Sequence, residues 1–438
     1  MNLLIKNGRV VCPKTGRDQL GDVAVSGGKI LAIGAVPPDF RPHRTLDATG
    51  LVVAPGLVDL AARLREPGQE HEGMLASELA AAVAGGVTSL VCLPDTDPVL
   101  DEPGLVEMLK FRAEKLHQSR LLPLGALTRQ LAGEVLTEMA ALTEAGCVGF
   151  GQAEVPLAST QVLQRAMQYA STFDYTLWLR PQDMSLGKGV AASGPLATRM
   201  GLSGVPVAAE TIALHTIFEL QRATKARVHL CRLSSAQGVA LVRQAKAEGL
   251  AVTADVSINS LHLTDADLGY FDSRARLNPP LRQQRDRDAL RQGLQDGTLD
   301  ALVSDHNPVD ADAKDLPFAE SEPGATGLEL LLSLALKWGQ DSGMGLASTL
   351  ATVTTGPAQV LGHSVGALQT ALGQLSVGEA ADLCVFDAQA QWSVQASELV
   401  SQGRHTPFEF MLSGTRLPGR VMATVVGGML VYERTPAA

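Results

Sequence analysis

The middle of the chain alternates between two kinds of segment. From residue 55 to about residue 362, short apolar runs typical of buried strands alternate with alanine- and leucine-rich stretches of helical period. The apolar runs include TSLVCLP, RLLPLGAL, CVGFGQ, TLWLRP, RVHLCRL, AVTADVS and DALVSDHNP. About eight such units predict an α/β fold, a (β/α)8 TIM-like barrel whose functional site lies at the carboxyl ends of its strands.

The two ends of the chain have a different texture from its middle. Short β-like runs and turns fill residues 1–52, and the same pattern returns in ADLCVFDA and RVMATVVGGMLVYE near the C-terminus. We therefore predict that residues 1–52 and 363–438 form one composite β-sandwich domain, and that residues 53–362 form the barrel. The Pro- and Gly-rich stretch 307–327 follows a barrel strand and is a candidate lid.

Composition excludes several classes of protein. The 438 residues carry 36 Lys and Arg against 46 Asp and Glu, a net charge of −10 that argues against a general nucleic-acid binder. No apolar run is long enough to span a membrane, and the N-terminus lacks a signal-peptide pattern. The five cysteines lie far apart without a CxxC pair. We expect buried thiols and a cytoplasmic protein.

Several motifs resemble those of one family along essentially the whole chain. They are APGLVDL, LREPG, AAVAGGVTSLVCLPDTDP, RLNPPLR, VSDHNP and GALQTALGQLSVGEAADLCVFD, in this order. Together they resemble the class I dihydroorotases of the amidohydrolase superfamily. The resemblance implies a distorted (β/α)8 barrel with a small β-sandwich, in which an active member binds metal through a His-x-His pair, a bridging acid or carboxylated lysine, two further histidines and an aspartate.

The implied metal ligands are missing from most of their positions in this chain. The His-x-His pair falls on Ala61 and Arg63, neither of which ligates a metal. The other positions fall on Gly151 and Gln152, with no lysine or aspartate at hand, on Arg180, on Arg232 and on Asp305. Because only the aspartate is retained, we expect no catalytic residue, no cofactor and no zinc.

The positions that the resemblance assigns to the substrate are altered too. Arg65 and Asn278 match contacts to the dihydroorotate carboxylate and ring. Asp95 replaces an asparagine, and Val309 stands where a substrate-binding histidine is expected. The pocket is therefore predicted to be vestigial.

Three arginines at former ligand positions leave several interpretations open. They can form an internal ion network with Asp305 and Asp59, or bind an anionic ligand through their guanidinium groups. Asp59 and Asp305 can also be considered as an acid–base pair, although we expect the arginines to lower both pKa values. His306 and His229 are interpreted as structural histidines.

The resemblance extends to a non-catalytic role. With its missing ligands, this chain resembles the inactive dihydroorotase-like subunits that some bacteria keep as partners of aspartate carbamoyltransferase in pyrimidine biosynthesis. The resemblance implies a pseudoenzyme that supports a dodecamer of six plus six chains. The alternative is a divergent cyclic-amide hydrolase, an active dihydroorotase or hydantoinase-like enzyme, with an unusual metal site or none, acting through Asp305 and His306.

Overall fold

The computed structural model describes residues 2–411 and 416–435. The strands are β1 (Leu3–Cys12), β2 (Arg17–Ser26), β3 (Lys29–Gly34), β4 (Arg44–Asp47), β5 (Val52–Pro55), β6 (Leu57–Ala62), β7 (Val87–Cys92), β8 (Arg120–Pro123), β9 (Gly125–Ala126), β10 (Phe150–Gly151), β11 (Thr176–Leu179), β12 (Ala191–Ala192), β13 (Gly204–Val205), β14 (Arg227–Leu230), β15 (Val252–Ser257), β16 (Ala301–Val303), β17 (Leu383–Trp392), β18 (Leu417–Val426) and β19 (Met429–Glu433).

The α-helices lie mainly between the barrel strands. They are α1 (Leu75–Ala84), α2 (Pro103–Lys115), α3 (Met139–Ala145), α4 (Thr160–Thr172), α5 (Pro195–Met200), α6 (Val207–Thr224), α7 (Ala236–Ala247), α8 (Ile258–His262), α9 (Gln284–Gln295), α10 (Ala311–Lys314), α11 (Leu331–Asp341), α12 (Leu346–Ala351), α13 (Thr355–Leu361) and α14 (Phe408–Met411). Within residues 2–411 and 416–435, no helix is both long and apolar enough to cross a membrane.

The central layer is a closed ring of parallel strands. β6, β7 and β8 pair in that order, and β9, β10, β11, β14, β15 and β16 form the rest of the ring. Strands β8 and β9 are two halves of one strand interrupted at Leu124, and a parallel bridge from Ala62 to His306 joins the last strand to the first. Strands β6 and β7 are buried along their whole length, as expected for strands covered by helices on one face and by packed side chains on the other. The predicted α/β barrel is confirmed.

The barrel helices follow the usual rules of amphipathic packing. In α4 the buried residues Leu163, Ala166, Met167 and Ala170 recur at spacings of three and four, which places them on one face against the barrel. The Ser159 hydroxyl accepts the Val162 N–H at 3.3 Å and so caps the first turn. The helix therefore begins at a fixed point, and the loop before it is anchored at that end.

Both chain ends contribute to one sheet beside the barrel. Its order is β19-β18-β17-β5-β1-β2-β3, and β4 pairs with β1. The β17–β5 pairing is antiparallel with Leu383 opposite Pro55, so a C-terminal strand lies against an N-terminal one. A β-sandwich from both ends is thus confirmed, whereas the exact boundaries 1–52, 53–362 and 363–438 stay a prediction. Strand β5 continues past residue 52 to Pro55.

The candidate lid, residues 307–327, is tied to its surroundings. The buried Lys314 ammonium donates to the carbonyls of Ser273, Arg276 and Glu322 at 3.2, 3.2 and 2.7 Å. Val309 and Phe318 from the same segment are buried. These contacts hold the segment over the carboxyl ends of the last barrel strands.

Candidate ion-network site

Four chemistry-bearing residues lie just beyond the carboxyl ends of barrel strands. Arg63 and Arg180 directly follow the residues at the ends of β6 and β11, and Arg232 and Asp305 lie two residues beyond β14 and β16. Arg232 and Asp305 adopt positive φ angles of 55° and 50°, which turn the chain sharply at the strand ends. The barrel therefore gathers the four side chains at the face where proteins of this architecture place their functional sites.

The centre of this face is a single carboxylate, that of Glu154. Its Oε1 lies 2.8 Å from Arg63 Nη2 and 2.5 Å from Arg232 Nη2, and its Oε2 accepts from Arg180 Nη1. Asn278 Nδ2 donates to the same Oε2 at 2.8 Å. One carboxylate thus binds three guanidinium groups.

Two further carboxylates complete the charge balance. Asp95 Oδ2 lies 2.7 Å from Arg63 Nε, and Asp305 Oδ1 lies 3.0 Å from Arg232 Nη1. Asn278 Oδ1 accepts from Arg180 Nη2 at 2.6 Å. We name the whole set the ion cluster: Arg63, Arg180, Arg232, Asp95, Glu154 and Asp305, with Asn278 bridging two of them. Three positive and three negative groups leave the ion cluster with a formal charge of zero.

Burial and neighbouring charges shift the pKa values of Glu154 and Asp305 in opposite directions. Burial by itself raises the pKa of Glu154, but the charges of Arg180, Arg232 and Arg63 outweigh it and hold that pKa far below its usual range. At Asp305 burial prevails over the attraction of Arg232, so its pKa is raised. The expectation that the arginines lower the pKa of Asp305 is wrong, because that carboxylate is deeply buried and has one close guanidinium partner rather than three.

Asp59 does not join the arginines, contrary to expectation. Its Oδ1 accepts the Ser304 N–H at 2.9 Å and its Oδ2 accepts the Ser304 hydroxyl at 2.5 Å. It is fully buried, and burial raises its pKa to about 6 despite these hydrogen bonds. The expected lowering of its pKa is therefore also wrong. Asp59 ties β6 to β16 and does not extend the ion cluster.

The remaining implied ligand positions hold residues with structural contacts. The Ala61 carbonyl accepts the His306 N–H at 3.1 Å. Gly151 lies on β10, where a Cβ would come within 3.1 Å of the Trp178 carbonyl. Gln152 is buried, accepts from the Thr128 hydroxyl at 3.0 Å and donates to the Leu131 carbonyl at 2.7 Å. None of these side chains reaches the ion cluster through a hydrogen bond described here.

Glu154 is not among the site residues predicted from the sequence. It lies three residues beyond β10, in the loop GQAEVP, near the position where a bridging acid was sought at Gly151 and Gln152. A count of charges offered a signal, because three buried arginines need more than one aspartate. Ala153, the residue before Glu154, has a positive φ of 49°. Non-glycine residues rarely adopt this conformation, and no sequence pattern predicts it here.

The implied substrate contacts are divided between the ion cluster and the neighbouring loops. Asp95 and Asn278 belong to the ion cluster, as described. Arg65 instead lies 2.7 Å from Glu72 Oε2 and donates to the Pro308 carbonyl at 2.9 Å. Val309 is buried in segment 307–327. The structure therefore does not bring the four predicted pocket residues into one set of polar contacts.

The histidines near the strand ends have partners away from the ion cluster. His306 Nε2 lies 2.8 Å from Glu78 Oε2, and its Nδ1 accepts the Gly327 N–H at 3.2 Å. His229 lies 2.9 Å from Asp255 Oδ2 through Nε2 and 2.9 Å from the Thr253 hydroxyl through Nδ1. Both imidazoles are buried, and both use their two ring nitrogens in hydrogen bonds.

The ion cluster does not fit the divalent metal that the resemblance implies. Metal ions need lone pairs from imidazole, thiolate or carboxylate groups, and three of the implied positions present guanidinium groups. In the described part of the chain, one group of three possible ligands lies close together: His229, Cys231 and Asp255, with ligand atoms within 4.8 Å of one another. Asp255 already accepts the Arg232 N–H at 2.6 Å and pairs with His229.

Of the cysteines, Cys12, Cys92, Cys147 and Cys384 are buried free thiols, as predicted.

A (β/α)8 barrel with its polar groups at the strand ends and a sandwich from both chain ends is the architecture of amidohydrolases. The Amidohydrolase family matches residues 202–431, and the Dihydro-orotase-like family matches residues 50–238. The chain belongs to the amidohydrolase family, and within it to the dihydroorotase-like proteins.

Relatives match along almost the whole length. The dihydroorotase-like protein of Pseudomonas aeruginosa is 45% identical over 434 residues, which cover 99% of this chain and 100% of the relative. The dihydroorotase of Geobacter sp. (strain M21) is 36% identical over 99% of this chain and 100% of its own length. The L-hydantoinase (dihydropyrimidinase) from Arthrobacter aurescens shares the fold, with a TM-score of 0.86 and 24% identity over 100% of this chain and 97% of that one.

Proposed function

We propose that this chain is a non-catalytic dihydroorotase homologue that serves as a structural subunit of aspartate carbamoyltransferase. In this role six copies combine with six catalytic transferase chains, and the amidohydrolase barrel contributes assembly rather than chemistry. The proposal has two parts, the inactivity of the barrel and the identity of its partner, and each rests on a different observation.

The binding of Glu154 by three arginines carries the first part. Arg63, Arg180 and Arg232 are each less than one-tenth exposed, so little water screens their charges. A divalent cation approaching Glu154 or Asp305 would meet these fixed positive charges at hydrogen-bonding distance from its intended ligands. The same acids already accept from guanidinium groups, and the ion cluster has no net charge left to attract a cation.

The contacts of His306 and Asp305 speak against the alternative of a cyclic-amide hydrolase acting through this pair. His306 is held between Glu78 and the Gly327 N–H, and Asp305 is held by Arg232. A general base must reach the proton that it abstracts. Neither ring nitrogen of His306 is available without breaking a buried hydrogen bond.

The second part rests on family resemblance. The motifs of the chain are similar to those of dihydroorotase-like subunits, and two relatives from Pseudomonas bear the name dihydroorotase-like protein. Pyrimidine biosynthesis is therefore the setting in which we place the chain, with the catalytic chain of aspartate carbamoyltransferase as its partner.

The partner is tested by co-expressing this chain with the carbamoyltransferase chain of the same organism, with an affinity tag on one of them. We expect co-purification in equal amounts, and a mass by light scattering that corresponds to six plus six chains. Transferase activity should fall when this chain is omitted. A transferase that assembles and works fully alone, with no capture of this chain, would overturn the proposed partner.

The inactivity is tested on the same purified chain. We expect less than one-tenth of an equivalent of zinc by elemental analysis after growth with added zinc, and no turnover of dihydroorotate or of a hydantoin. An Asp305→Ala variant should behave identically in both assays. Stoichiometric zinc with turnover that Asp305→Ala abolishes would establish the hydrolase instead.

A further inference from the structure

A cavity of about 480 Å³ lies at the end of the barrel opposite to the ion cluster. Its walls come from the last two turns of α2, residues 117–119 and the first residues of β8, the residues that precede β10, the segment 364–368 and the turn between β18 and β19. Barrel and sandwich therefore share it. Its volume is in the range of small-molecule sites in proteins.

Two buried polar atoms at this cavity have no hydrogen-bond partner among the described residues. They are the Ser119 hydroxyl oxygen and Gln118 Oε1, and both residues line the cavity. Ser119 is only 3% exposed. Unsatisfied buried polar groups are rare in folded proteins because each destabilises the fold, and they are commonest where a ligand or water completes them.

A positive charge is fixed at the same cavity. Lys110 Nζ donates to the Ala145 carbonyl at 3.2 Å, which uses one of its three N–H groups. A Cβ on Gly146 would lie 2.1 Å from that nitrogen, so glycine at this position leaves the room that the ammonium occupies. The described residues place no carboxylate within ion-pair distance of Lys110, whereas Arg120 is bound by both oxygens of Asp382.

Besides these residues, the lining contains the exposed Glu114 and His117 and several apolar side chains. Leu121, Leu122 and Val148 contribute from the barrel, and Val365, Leu368 and Val426 contribute from the other side. The cavity thus combines apolar walls with Lys110, which has no ion-pair partner among the described residues, with the exposed Glu114 carboxylate, and with two oxygen atoms. Of these two oxygen atoms, Gln118 Oε1 can only accept a hydrogen bond.

We propose that this cavity binds a small organic monocarboxylate whose apolar body carries an N–H donor. The carboxylate pairs with Lys110, the N–H donates to Gln118 Oε1 or Ser119 Oγ, and the apolar body contacts the leucine and valine side chains. Lys110, which has no ion-pair partner in the described part of the chain, favours one negative charge on the ligand, and the Glu114 carboxylate in the lining disfavours a second one. Binding at this cavity is independent of whether the barrel is catalytic and of which partner the chain has.

The test compares a probe that carries both a carboxylate and an amine with molecules that carry only one of these groups. Binding of 4-aminobenzoate to the full chain is measured by calorimetry and by the shift of the melting temperature, beside benzoate, aniline and inorganic phosphate. We expect saturable binding of 4-aminobenzoate, weaker binding of benzoate and aniline, and no saturable effect of phosphate. Equal effects of phosphate and 4-aminobenzoate, or no saturable binding of any probe, would overturn the proposal.

Three variants locate the probe. Lys110→Met should weaken 4-aminobenzoate by at least about tenfold, because a charge-assisted hydrogen bond is lost, and should leave aniline unchanged. Lys115→Met, on the same helix but outside the cavity lining, is the matched control and should bind like the parent chain. Ser119→Ala should weaken 4-aminobenzoate and aniline without lowering the melting temperature of the free protein. If Lys110→Met and Lys115→Met bind the probe equally well, the proposed site is wrong.

Discussion

The two ends of the barrel bury polar groups in opposite ways. At the carboxyl ends of the strands, the ion cluster joins three guanidinium groups to three carboxylates, and among its fully buried side-chain nitrogen and oxygen atoms Arg232 Nε is the one without a hydrogen-bond partner in the described residues. At the amino ends, a cavity is lined by Ser119 and Gln118, whose side-chain oxygen atoms have no hydrogen-bond partner within residues 2–411 and 416–435, and by Lys110, which has no counter-ion within the same ranges. The first end is closed by its own side chains, whereas the second offers unmet hydrogen-bonding capacity.

The largest expected effect comes from removing the central carboxylate. Glu154→Ala leaves three buried guanidinium groups without their shared partner, and breaking a buried ion pair costs about 3–5 kcal/mol. Since the Glu154 side chain is 29% exposed, we expect the lower end, about 3 kcal/mol, in the free energy of unfolding measured with urea. Added acetate should restore part of this loss by binding to the arginines.

The matched control is Glu219→Ala, whose carboxylate is 80% exposed and pairs with Arg222. It should change the free energy of unfolding by less than about 1 kcal/mol. The low pKa of Glu154 also fixes a sign: its stabilisation is present above the pKa of an unfolded glutamate and is lost as the pH falls toward its folded value. If Glu154→Ala lowers the free energy of unfolding by no more than the control does, the ion cluster does not stabilise its end of the barrel in the way described.

The next effect concerns Asp59, whose pKa is raised to about 6 from 3.8 by burial. Between these values the folded chain keeps a proton that the unfolded chain has released, so the free energy of unfolding falls as the pH rises from 4 to 6. The shift corresponds to about 3 kcal/mol in total. Asp59→Asn cannot titrate and should lack this fall, as measured by urea unfolding at pH 4 and pH 7.

Asp18→Asn is the control for this experiment. Asp18 has its pKa lowered by its hydrogen bond to Arg9, so its replacement should not flatten the decrease between pH 4 and pH 7. Identical pH profiles for the parent chain and Asp59→Asn would contradict a pKa of Asp59 that burial raises to about 6.

At the cavity end of the barrel, removing a polar group should not lower the free energy of unfolding. Ser119→Ala removes a buried hydroxyl that has no described partner, so the free protein should keep its stability or gain up to about 1 kcal/mol. Thr137→Ala is a fitting comparison, because its buried hydroxyl donates to the Ala126 carbonyl at 2.6 Å and its loss should destabilise the chain. A clear destabilisation by Ser119→Ala in urea unfolding would show that the hydroxyl is satisfied in the free protein.

The smallest effect is expected at an exposed ion pair. Arg222 lies 2.7 Å from Glu248 Oε2, with both side chains more than one-third exposed. Arg222→Ala should therefore change the free energy of unfolding by no more than about 0.5 kcal/mol, and the change should vanish in high salt. A larger loss that salt does not reduce would mean that Arg222 contributes by packing rather than by charge.

The barrel and the composite sandwich could be predicted because they follow from repeated local patterns. Apolar runs such as TSLVCLP and RVHLCRL lie on strands β7 and β14, and the motif LREPG follows β6. Closing a parallel barrel brings the carboxyl ends of all strands to one face. Arg63, Arg180, Arg232 and Asp305 could therefore be assigned to one site from the resemblance to the dihydroorotases together with their positions after predicted strands.

The partners of these residues were harder to predict. Asp59 pairs with Ser304 rather than with arginine, because burial on β6 beside β16 puts that N–H and hydroxyl within reach. Glu154 enters the ion cluster from a loop, where the backbone conformation at Ala153 sets the direction of the chain. Such contacts depend on distances between segments that are far apart in sequence.

The sequence by itself determined the alternation of strands and helices and the family. It also placed arginines at positions where the family resemblance implies metal ligands. These are local properties, since each follows from residue type and spacing. The tertiary structure alone decided that Glu154 binds three arginines, and that Ser119 and Gln118 face a cavity between barrel and sandwich. Ion pairs and cavities depend on how separate segments pack in three dimensions. The pattern of residues along the chain does not give the distances between those segments.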